Sequence, residues 1–414
     1  MRKNKRIGVI GGGAAGMMAA ITAARAGQSV TILEGGERLG KKILSTGNGK
    51  CNLGNRSLSS ENYYGSHEFL SKAFKRFGTE ETLKFFHELG LLTKERNGYL
   101  YPLCEQASAV LDVLRFEVSA LGIFVKTNFY VNQITKAENG KWIVQSKEGK
   151  ESFDAIIISC GGKAMPKTGS DGSGYELAKK LGHHVRPVVP ALTFLKCQED
   201  FFKSIAGVRT EARIELLDHD GNVLASELGE LQLTNQGISG IPVFQLSRIV
   251  SYALKKQKEV PLRIDFLPGL KLHGNNAEEL ISTRLRLREG RTVEECMTGI
   301  LPKKVMELFL KKAGLKLNDS AQKLTDNSLR RLLEDCKGLM VKAIGTGDFS
   351  NCQVCAGGVE ISEVTENMES KLAKGVYFAG EILDVDGKCG GYNLQWAWTS
   401  GYLAGLHAAE RQEN

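Results

Sequence analysis

The sequence predicts an α/β fold in which a nucleotide-binding Rossmann domain carries an inserted β-rich domain, which in turn carries a helical insert. At the N-terminus, an apolar strand pattern passes through a glycine-rich turn into a helical pattern and then a second strand. From about residue 191 the pattern changes to short strands and turns, residues 276–337 have helical periodicity, and strand patterns return at 339. A final strand–loop–helix pattern begins at Val376.

The predicted domain boundaries follow from these changes of pattern. The Rossmann domain takes residues 1–190 and 367–414, the β-rich domain takes 191–270 and 338–366, and the helical insert takes 271–337. Because strand patterns stand on both sides of the helical stretch, we expect one insertion to lie within another.

The first strand and its turn carry a dinucleotide-binding fingerprint. Ile7 to Ile10 is an apolar, β-branched run, and Gly11, Gly13 and Gly16 follow it as G-x-G-x-x-G at the start of a helix. The first glycine permits the tight turn, the second lets the backbone approach a pyrophosphate, and the third lets the helix pack on the strand. Glu34 ends the second strand, where a carboxylate accepts hydrogen bonds from ribose hydroxyls and repels a 2′-phosphate.

A basic, glycine-rich loop follows Glu34. Residues 35–55 contain Lys42, Thr46 and four well-spaced glycines, a composition suited to wrapping a phosphate-bearing ligand with backbone amides. We interpret Cys51 within this loop as a small packing residue, because no other cysteine lies close to it in the sequence.

Two further stretches are predicted as strands and one as a charged surface. Residues 123–131 and 359–364 show strand patterns. In the helical insert, Thr292 with Glu295 predicts a capping box, and Gly314 and Gly338 are predicted at the left-handed positions that end helices. Four arginines of this insert are predicted to form a solvated helix face rather than a nucleic-acid patch, which needs interleaved aromatic residues: Arg284, Arg286, Arg288 and Arg291.

Composition limits the class of protein. The chain is 42% hydrophobic and 25% charged, its net charge is +8, and it has no apolar run long enough to span a bilayer. Nine scattered cysteines suit a reducing compartment, so we expect no disulfides. Arg2 and Lys3 before an apolar segment imitate a signal peptide, but cleavage there would remove the phosphate turn. We therefore expect a cytoplasmic protein with no membrane contact.

Cys352 and Cys355 form C-x-x-C, which is a redox pair in some flavoenzymes. The flanking residues look extended, and positions i and i+3 of a strand point to opposite faces. No second pair completes a zinc site. We therefore predict neither a disulfide nor a metal site here, and no metal elsewhere.

The C-terminal pattern adds a second ligand-binding end. A strand at residues 376–379 leads through Gly380-Glu381 and a glycine-rich loop to a helix that begins near Asn393. A helix N-terminus stabilises negative charge, and a reduced flavin develops such charge on its N1–C2=O edge. Asp384 in the loop is placed to hold a ribityl hydroxyl. Small residues every four positions in this helix predict a very close neighbouring helix: Ala397, Gly401, Gly405 and Ala409.

Four motifs together resemble the BaiN-type flavoproteins, a family of NAD(P)/FAD-dependent oxidoreductases. They are the fingerprint, TGNGKCN, CGGKAMPKTGSDGSGYELAKKLGH and FAGEILDVDGKCGGYNLQWAWTSGYLAG, and the resemblance covers essentially the whole chain. It implies a glutathione-reductase-like FAD-binding Rossmann domain with an inserted β-barrel-like domain that carries the helical insert. It also implies one bound FAD, reduced by transiently docked NADH or NADPH.

Fingerprint reasoning and the resemblance together give the predicted FAD-binding residues, while no residue is assigned a catalytic role. They are Gly11, Gly13, Ala14, Ala15, Gly16, Glu34, Lys42, Thr46, Gly47, Asn48, Gly49, Cys51, Asn52, Val131, Gly161, Gly380, Glu381, Asp384, Gly391, Tyr392, Asn393 and Leu394. Residues 355–359 resemble a family segment that faces the flavin ring. The chain departs from the family pattern at Lys50, where arginine is common, and at Asn235, where a histidine that is a candidate proton donor is common.

The family includes a 3-dehydro-bile acid delta-4,6-reductase and an aminoacetone oxidase, which leaves two enzymatic functions open. The favoured one is reduction of an activated C=C bond, such as that of a 3-oxo-4,6-diene bile acid or a similar enone, by NAD(P)H through FAD. The alternative is an amine oxidase that produces hydrogen peroxide. A flavoprotein linked to tRNA is a distant third. We expect a small-molecule substrate and no stable nucleic-acid partner; the oligomeric state stays open.

Overall fold

The computed structural model describes residues 4–410, so Arg2 and Lys3 of the basic N-terminal run lie outside the described residues. The chain forms two compact units. The first takes the described residues up to Val189 and from Phe349 onward, and the second takes Pro190–Asp348.

The helices and strands of the first unit, up to its interruption, alternate along the chain. They are β1 (Arg6–Ile10), α1 (Ala14–Arg25), β2 (Ser29–Leu33), β3 (Gly54–Asn55), β4 (Tyr63–Tyr64), α2 (His67–Arg76), α3 (Thr79–Glu88), β5 (Thr93–Arg96), β6 (Tyr99–Pro102), α4 (Ala107–Ala120), β7 (Phe124–Lys126), β8 (Gln133–Lys136), β9 (Trp142–Ser146), β10 (Gly149–Phe153), β11 (Ala155–Ile158) and α5 (Ser173–Lys180).

The second unit is rich in strands at both ends and in helices between them. After β12 (Val189–Ala191), where the chain leaves the first unit, come β13 (Leu195–Cys197), α6 (Phe202–Ile205), β14 (Arg209–Leu217), β15 (Val223–Thr234), β16 (Gly237–Ser239), α7 (Ile241–Lys255), β17 (Val260–Asp265), α8 (Asn275–Arg286), α9 (Val293–Met297), α10 (Lys303–Lys312), α11 (Asp326–Lys337) and β18 (Leu339–Thr346). The chain then re-enters the first unit with β19 (Val354–Ala356), β20 (Val376–Phe378), β21 (Asp386–Gly387) and α12 (Tyr392–Ala409).

A five-stranded sheet in the order β20-β11-β1-β2-β7 organises the first unit. Its strand pairs are parallel, and Val9 lies between Ile157 of β11 and Ile32 of β2. These three side chains have no exposed surface. Continuous β-branched runs suit a parallel sheet because both of its faces are covered.

The C-terminal helix crosses α1 at very short range, as its small-residue stripe predicts. A Cβ added to Gly401 would lie 2.5 Å from the carbonyl oxygen of Ala15, and one added to Gly405 would lie 2.3 Å from that of Ala19. Larger residues cannot occupy these positions without separating the helices. This contact brings the N-terminal ends of both helices to the same part of the first unit.

The second unit contains a closed barrel in the strand order β13-β16-β15-β14-β17-β18, which confirms the predicted β-barrel-like domain. Burial alternates along β17, where Val260, Leu262 and Ile264 face the core. This period of two is the pattern expected when one face of a strand lines a barrel interior. Helices α8 to α11 lie between β17 and β18 in the sequence, so the helical insert is also confirmed.

The capping box of the helical insert forms as predicted, but part of its arginine cluster does not face solvent. The Thr292 N–H donates to Glu295 Oε2 at 2.7 Å. Arg284 Nη1 donates to the carbonyl of Cys296, and Arg288 Nη1 donates to that of Leu324, each at 2.8 Å. The prediction of a solvated face is therefore wrong for these two arginines, since they satisfy carbonyl groups within the insert.

Residues 359–364 do not form the predicted strand, residues 123–131 form theirs only over β7, and Gly338 ends its helix without the predicted left-handed conformation. Val359 and Val364 form only isolated bridges, with a short 3₁₀ helix at Ile361–Glu363 between them. Within residues 123–131 only β7 is a strand, and Asn128 has a left-handed φ of 56°. Phe129 and Val131 line a cavity, so their apolar character does not come from a sheet. Gly338 has φ −132°, outside the left-handed region.

The chain returns to the first unit at Phe349, earlier than the predicted boundary at 367. The Val359 N–H donates to the carbonyl of Ile382, and the Asp384 N–H donates to the carbonyl of Val359, each at 2.9 Å. These bonds attach residues 349–366 to the segment after β20. None of the described helices is both long and apolar enough to cross a membrane.

Candidate cofactor-binding site

The turn between β1 and α1 has the geometry that its glycines predict. Gly11 has φ +98°, and a Cβ on Gly16 would lie 1.9 Å from the carbonyl oxygen of Gly11. A Cβ on Gly13 would meet no atom within 4 Å. Gly16 therefore serves packing, while the open space at Gly13 leaves room for a ligand at the N-terminus of α1.

Glu34 is tied to this turn by both carboxylate oxygens. Oε2 accepts the Gly12 N–H at 2.8 Å, and Oε1 accepts the Gly36 N–H at 2.7 Å. Each oxygen retains acceptor capacity, because a carboxylate has about four lone-pair sites. Glu34 can therefore hold the turn and still accept hydrogen bonds from ribose hydroxyls.

A cavity of about 390 Å³ runs past this turn, and all the residues that line it belong to the first unit. Most of the predicted cofactor residues contribute to its wall. They are Gly11, Gly13, Ala14, Ala15, Glu34, Lys42, Thr46, Val131, Gly161, Gly380, Glu381, Asn393 and Leu394.

The remaining predicted residues are not brought to the cavity wall. They are Gly16, Gly47, Asn48, Gly49, Cys51, Asn52, Asp384, Gly391 and Tyr392. Asp384 Oδ2 lies 3.3 Å from Arg186 Nε, so its carboxylate is paired with an arginine. A Cβ on Gly391 would lie 2.5 Å from the carbonyl oxygen of Gly54, so this glycine permits close backbone packing beneath α12.

Cys51 is fully buried, as a packing residue should be. Burial raises the pKa of its thiol to about 12, so the thiol stays protonated at neutral pH. Two more of the residues away from the wall, Gly47 and Asn48, lie in a kink within the 3₁₀ segment Lys41–Gly49 and have left-handed φ values of 54° and 53°. They shape the loop that carries Lys42 and Thr46 to the cavity.

Sequence reasoning missed a polar cluster on the wall near Glu34. The Tyr130 hydroxyl donates to Asp171 Oδ2 at 2.8 Å, and Asp171 Oδ1 accepts the Ser173 N–H at 2.9 Å. Burial alone would raise the pKa of Asp171, but the hydrogen bonds from Ser173 and Tyr130 outweigh it and the pKa is lowered. Asp171 in Ser-Asp-Gly-Ser is a turn signal, because an aspartate readily accepts the backbone N–H two residues on, whereas nothing local in the sequence marks Tyr130.

An ion pair crosses the wall between the two glycine-rich segments. Lys42 Nζ lies 2.7 Å from Glu381 Oε2. The other oxygen, Oε1, accepts the Cys355 N–H at 2.7 Å. Gly380 next to it is held by α12, because its N–H donates to Ser400 Oγ at 2.8 Å. Glu381 is therefore fixed from two sides, while Lys42 keeps further N–H donors for a ligand.

The N-terminus of α12 forms the wall at Asn393 and Leu394. The Asn393 side chain is occupied, because its Oδ1 accepts the Gly387 N–H and its Nδ2 donates to the Gly387 carbonyl, each at 2.8 Å. This pairing fixes the preceding loop. The backbone N–H groups of the first turn have no acceptor within the helix, so they are available to an anionic or carbonyl group.

The residues present fit FAD. The cavity offers open space at one helix N-terminus, a second helix N-terminus, and a ribose-type acid at Glu34. Ser170, also on the wall, has a buried hydroxyl oxygen without a hydrogen-bond partner in the protein. Buried polar atoms are nearly always satisfied, so an unpaired one in a cavity wall indicates a ligand contact.

The C-x-x-C cysteines are not arranged as predicted. The chain bends at Gln353, and Cys352 and Cys355 pack together in one small buried cluster with Ala164. Their side chains are joined by a hydrogen bond. The prediction that they point to opposite faces is wrong, because the bend removes the extended geometry on which it rested.

Comparison with known protein sequences gives matches along nearly the whole chain. Residues 5–407 match the family described as HI0933-like protein Rossmann domain. The chain is 45% identical over 410 residues to a 3-dehydro-bile acid delta(4,6)-reductase of Clostridium scindens, covering 98% of this chain and 99% of that protein. It is 28% identical over 407 residues to a ribosomal RNA dihydrouridine synthase of Haemophilus influenzae, covering 96% and 97%.

Solved structures with a similar fold include two ketosteroid dehydrogenases. The 3-ketosteroid-delta4-(5alpha)-dehydrogenase of Rhodococcus jostii RHA1 has a TM-score of 0.50 at 16% identity, covering 99% of this chain and 98% of that chain. The 3-ketosteroid delta1-dehydrogenase of Sterolibacterium denitrificans has a TM-score of 0.51 at 12% identity, covering 99% and 100%. At these identities the likeness concerns the fold alone, and it agrees with the predicted α/β class.

Proposed function

Because this chain belongs to the family of HI0933-like Rossmann-domain proteins, we propose that it is an FAD-dependent oxidoreductase that reduces an activated C=C bond with electrons from NAD(P)H. Membership of the family agrees with the resemblance predicted from the sequence motifs. The observation that carries the proposal is 45% identity, over 98% of the chain, to a reductase whose name specifies a 3-dehydro-bile acid. The proposed substrate class is accordingly a 3-oxo-4,6-diene bile acid or a similar enone.

The cavity residues have distinct parts in this proposal. Bound FAD supplies the hydride acceptor and donor. The turn at Gly11–Gly13 leaves the N–H groups of α1 free for the diphosphate, and Glu34 accepts the ribose hydroxyls. At the other end, the N-terminus of α12 at Asn393 and Leu394 stabilises the negative charge that the flavin gains on reduction.

The electron donor is proposed to dock transiently, because the chain offers no second dinucleotide fingerprint in its sequence. The sequence Gly345-Thr346-Gly347 lacks the third glycine of the pattern, and its first two residues lie within strand β18. Extended backbone of this kind does not form the strand-to-helix turn that a pyrophosphate needs.

The proposal is tested by anaerobic reduction of the purified, FAD-loaded protein. NADH or NADPH should bleach the flavin absorbance, and an enone added afterwards should restore it with formation of the saturated ketone. If neither nicotinamide bleaches the flavin and an amine does so, with hydrogen peroxide appearing in air, the amine-oxidase alternative replaces this proposal.

Reduction of a uracil ring in RNA is a second candidate, favoured by one observation. The relative from Haemophilus influenzae is a ribosomal RNA dihydrouridine synthase, and its reaction also saturates a C=C bond conjugated to a carbonyl group. Two observations count against this candidate. The identity to this relative is 28%. Arg284 and Arg288 of the helical insert bind backbone carbonyls. This candidate is supported if ribosomal RNA reoxidises the reduced flavin and no enone does.

A further inference from the structure

Two buried cysteines form a thiol pair that the proposed reaction does not use. Cys352 and Cys355 are each 1% exposed, and neither forms a disulfide. The bend at Gln353 brings them into one cluster with Ala164, and a hydrogen bond joins their side chains. A disulfide needs side chains that already approach each other, and this pair meets that requirement.

The pair lies directly behind the wall of the cofactor cavity. The two residues between the cysteines, Gln353 and Val354, both line the cavity. The Cys355 N–H holds Glu381 Oε1 at 2.7 Å, and the other oxygen of Glu381 pairs with Lys42 at 2.7 Å. Each cysteine is therefore adjacent in sequence to a residue that lines the cavity. The backbone N–H of Cys355 is also hydrogen-bonded to a member of the ion pair in the cavity wall.

The contacts of the two sulfurs keep both thiols protonated. The hydrogen bond to Cys352 and burial raise the pKa of Cys355, so Cys355 keeps its proton. Cys352 Sγ donates to the carbonyl of Phe349 at 3.6 Å, so it also carries a proton. The pair is therefore a dithiol, the reduced form of a two-electron couple.

We propose that Cys352 and Cys355 are a redox-active dithiol that exchanges two electrons with the flavin bound in the adjacent cavity. This inference rests on the proposed function, because the flavin is the oxidant. Two S–H bonds break and one S–S bond forms, while two electrons and two protons pass to the oxidised flavin. In the reverse direction, the reduced flavin returns two electrons and two protons to the disulfide. Burial shields both sulfurs from thiols in solution, while Gln353 and Val354, the residues between them, line the cavity.

An anaerobic titration of the FAD-loaded protein with dithionite tests the proposal. After oxidation with ferricyanide and desalting, the protein should take up four electrons per flavin, two for the flavin and two for the disulfide. Cys352→Ser and Cys355→Ser should each take up two. The control Cys104→Ser removes an exposed cysteine and should still take up four.

Alkylation gives a second measurement that does not depend on the variants. Both cysteines lie in the tryptic peptide of residues 343–371, which contains no other cysteine. Iodoacetamide added during denaturation should leave this peptide unmodified in the oxidised protein and label both thiols in the reduced protein. The proposal is overturned if the wild type takes up two electrons per flavin and both cysteines are labelled in the oxidised protein. A protein that binds no FAD would instead refute the proposed function before the titration begins.

Discussion

Glu34 connects the sequence fingerprint to the geometry of the cavity. Its two oxygens accept hydrogen bonds from the N–H groups of Gly12 and Gly36. Hydrogen bonds between a carboxylate and backbone amides are stronger than those between neutral groups. The residue proposed to bind the ribose therefore also fixes the glycine-rich turn.

Replacing Glu34 with glutamine should weaken FAD binding by about 1–3 kcal/mol, because the amide NH₂ would face a backbone N–H instead of accepting it. Titration of the apoprotein with FAD, followed by flavin fluorescence, measures the change. Glu37→Gln removes an equal charge from an exposed position three residues away and should leave the affinity unchanged. Equal losses in both variants would show that overall charge, rather than the turn, sets the affinity.

At the residue scale, the sequence does not predict which side chains contact each other. Asp384 follows a ligand loop in sequence, and only the fold shows that Arg186 lies beside it. Cys352 and Cys355 look extended in sequence, and only the bend at Gln353 shows that they meet. In both cases the deciding neighbour or angle has no local sequence signal.

At the scale of elements, the contact between α1 and α12 positions both ends of the cavity. The glycines of α12 at 401 and 405 lie against backbone carbonyls of α1. Since both helices contribute their N-terminal ends to the cavity wall, any separation of the helices would move one ligand-binding end relative to the other.

Gly405→Ala should destabilise the protein by about 1–3 kcal/mol, the usual cost of overpacking. Alanine favours a helix over glycine by roughly 1 kcal/mol, but its Cβ would lie 2.3 Å from the carbonyl oxygen of Ala19, and the clash outweighs that gain. Urea unfolding measures the difference. The matched control is Gly269→Ala, whose Cβ would meet no atom within 4 Å. Unchanged stability of Gly405→Ala would mean that the helices have room to separate.

Elements are predictable where burial in the sheet or barrel causes their pattern. The β-branched run of β1 reflects burial within the sheet, and the alternation of β17 reflects burial of one strand face in the barrel. Both segments are strands. In residues 123–131 the apolar side chains of Phe129 and Val131 cover a cavity, so the same pattern arises without a strand. Periodicity reports burial, and it does not report what the residue is buried against.

At the scale of the whole molecule, the two units have separate hydrophobic cores. One core surrounds the parallel sheet and includes Val9 and Ile157, while the other fills the barrel and helical insert and includes Ile214 and Phe309. The cavity is lined by residues of the first unit. Stability of the second core and affinity for the cofactor should therefore respond to different substitutions.

Ile214→Ala should lower the free energy of unfolding by about 2–5 kcal/mol, because it leaves a cavity in the barrel core. The FAD dissociation constant of the folded protein should stay the same. Ile157→Ala removes an equally buried side chain from the sheet beneath the cavity, and it should lower both stability and affinity. Calorimetric unfolding and FAD titration of the two variants give the comparison. A matching loss of FAD affinity in Ile214→Ala would contradict the separation of the cores.

The sequence alone determined the class of fold, with its parallel sheet, barrel and helical insert, and it located the two glycine-rich segments that line the cavity. These depend on patterns that are local in the chain: Gly11, Gly13 and Gly16 after a strand, and the small-residue stripe of α12. The tertiary structure decided which polar groups meet, as with Tyr130 and Asp171, Lys42 and Glu381, or the two cysteines. Such contacts join residues through bends and crossings that no local pattern encodes, because distance along the chain does not fix distance in space.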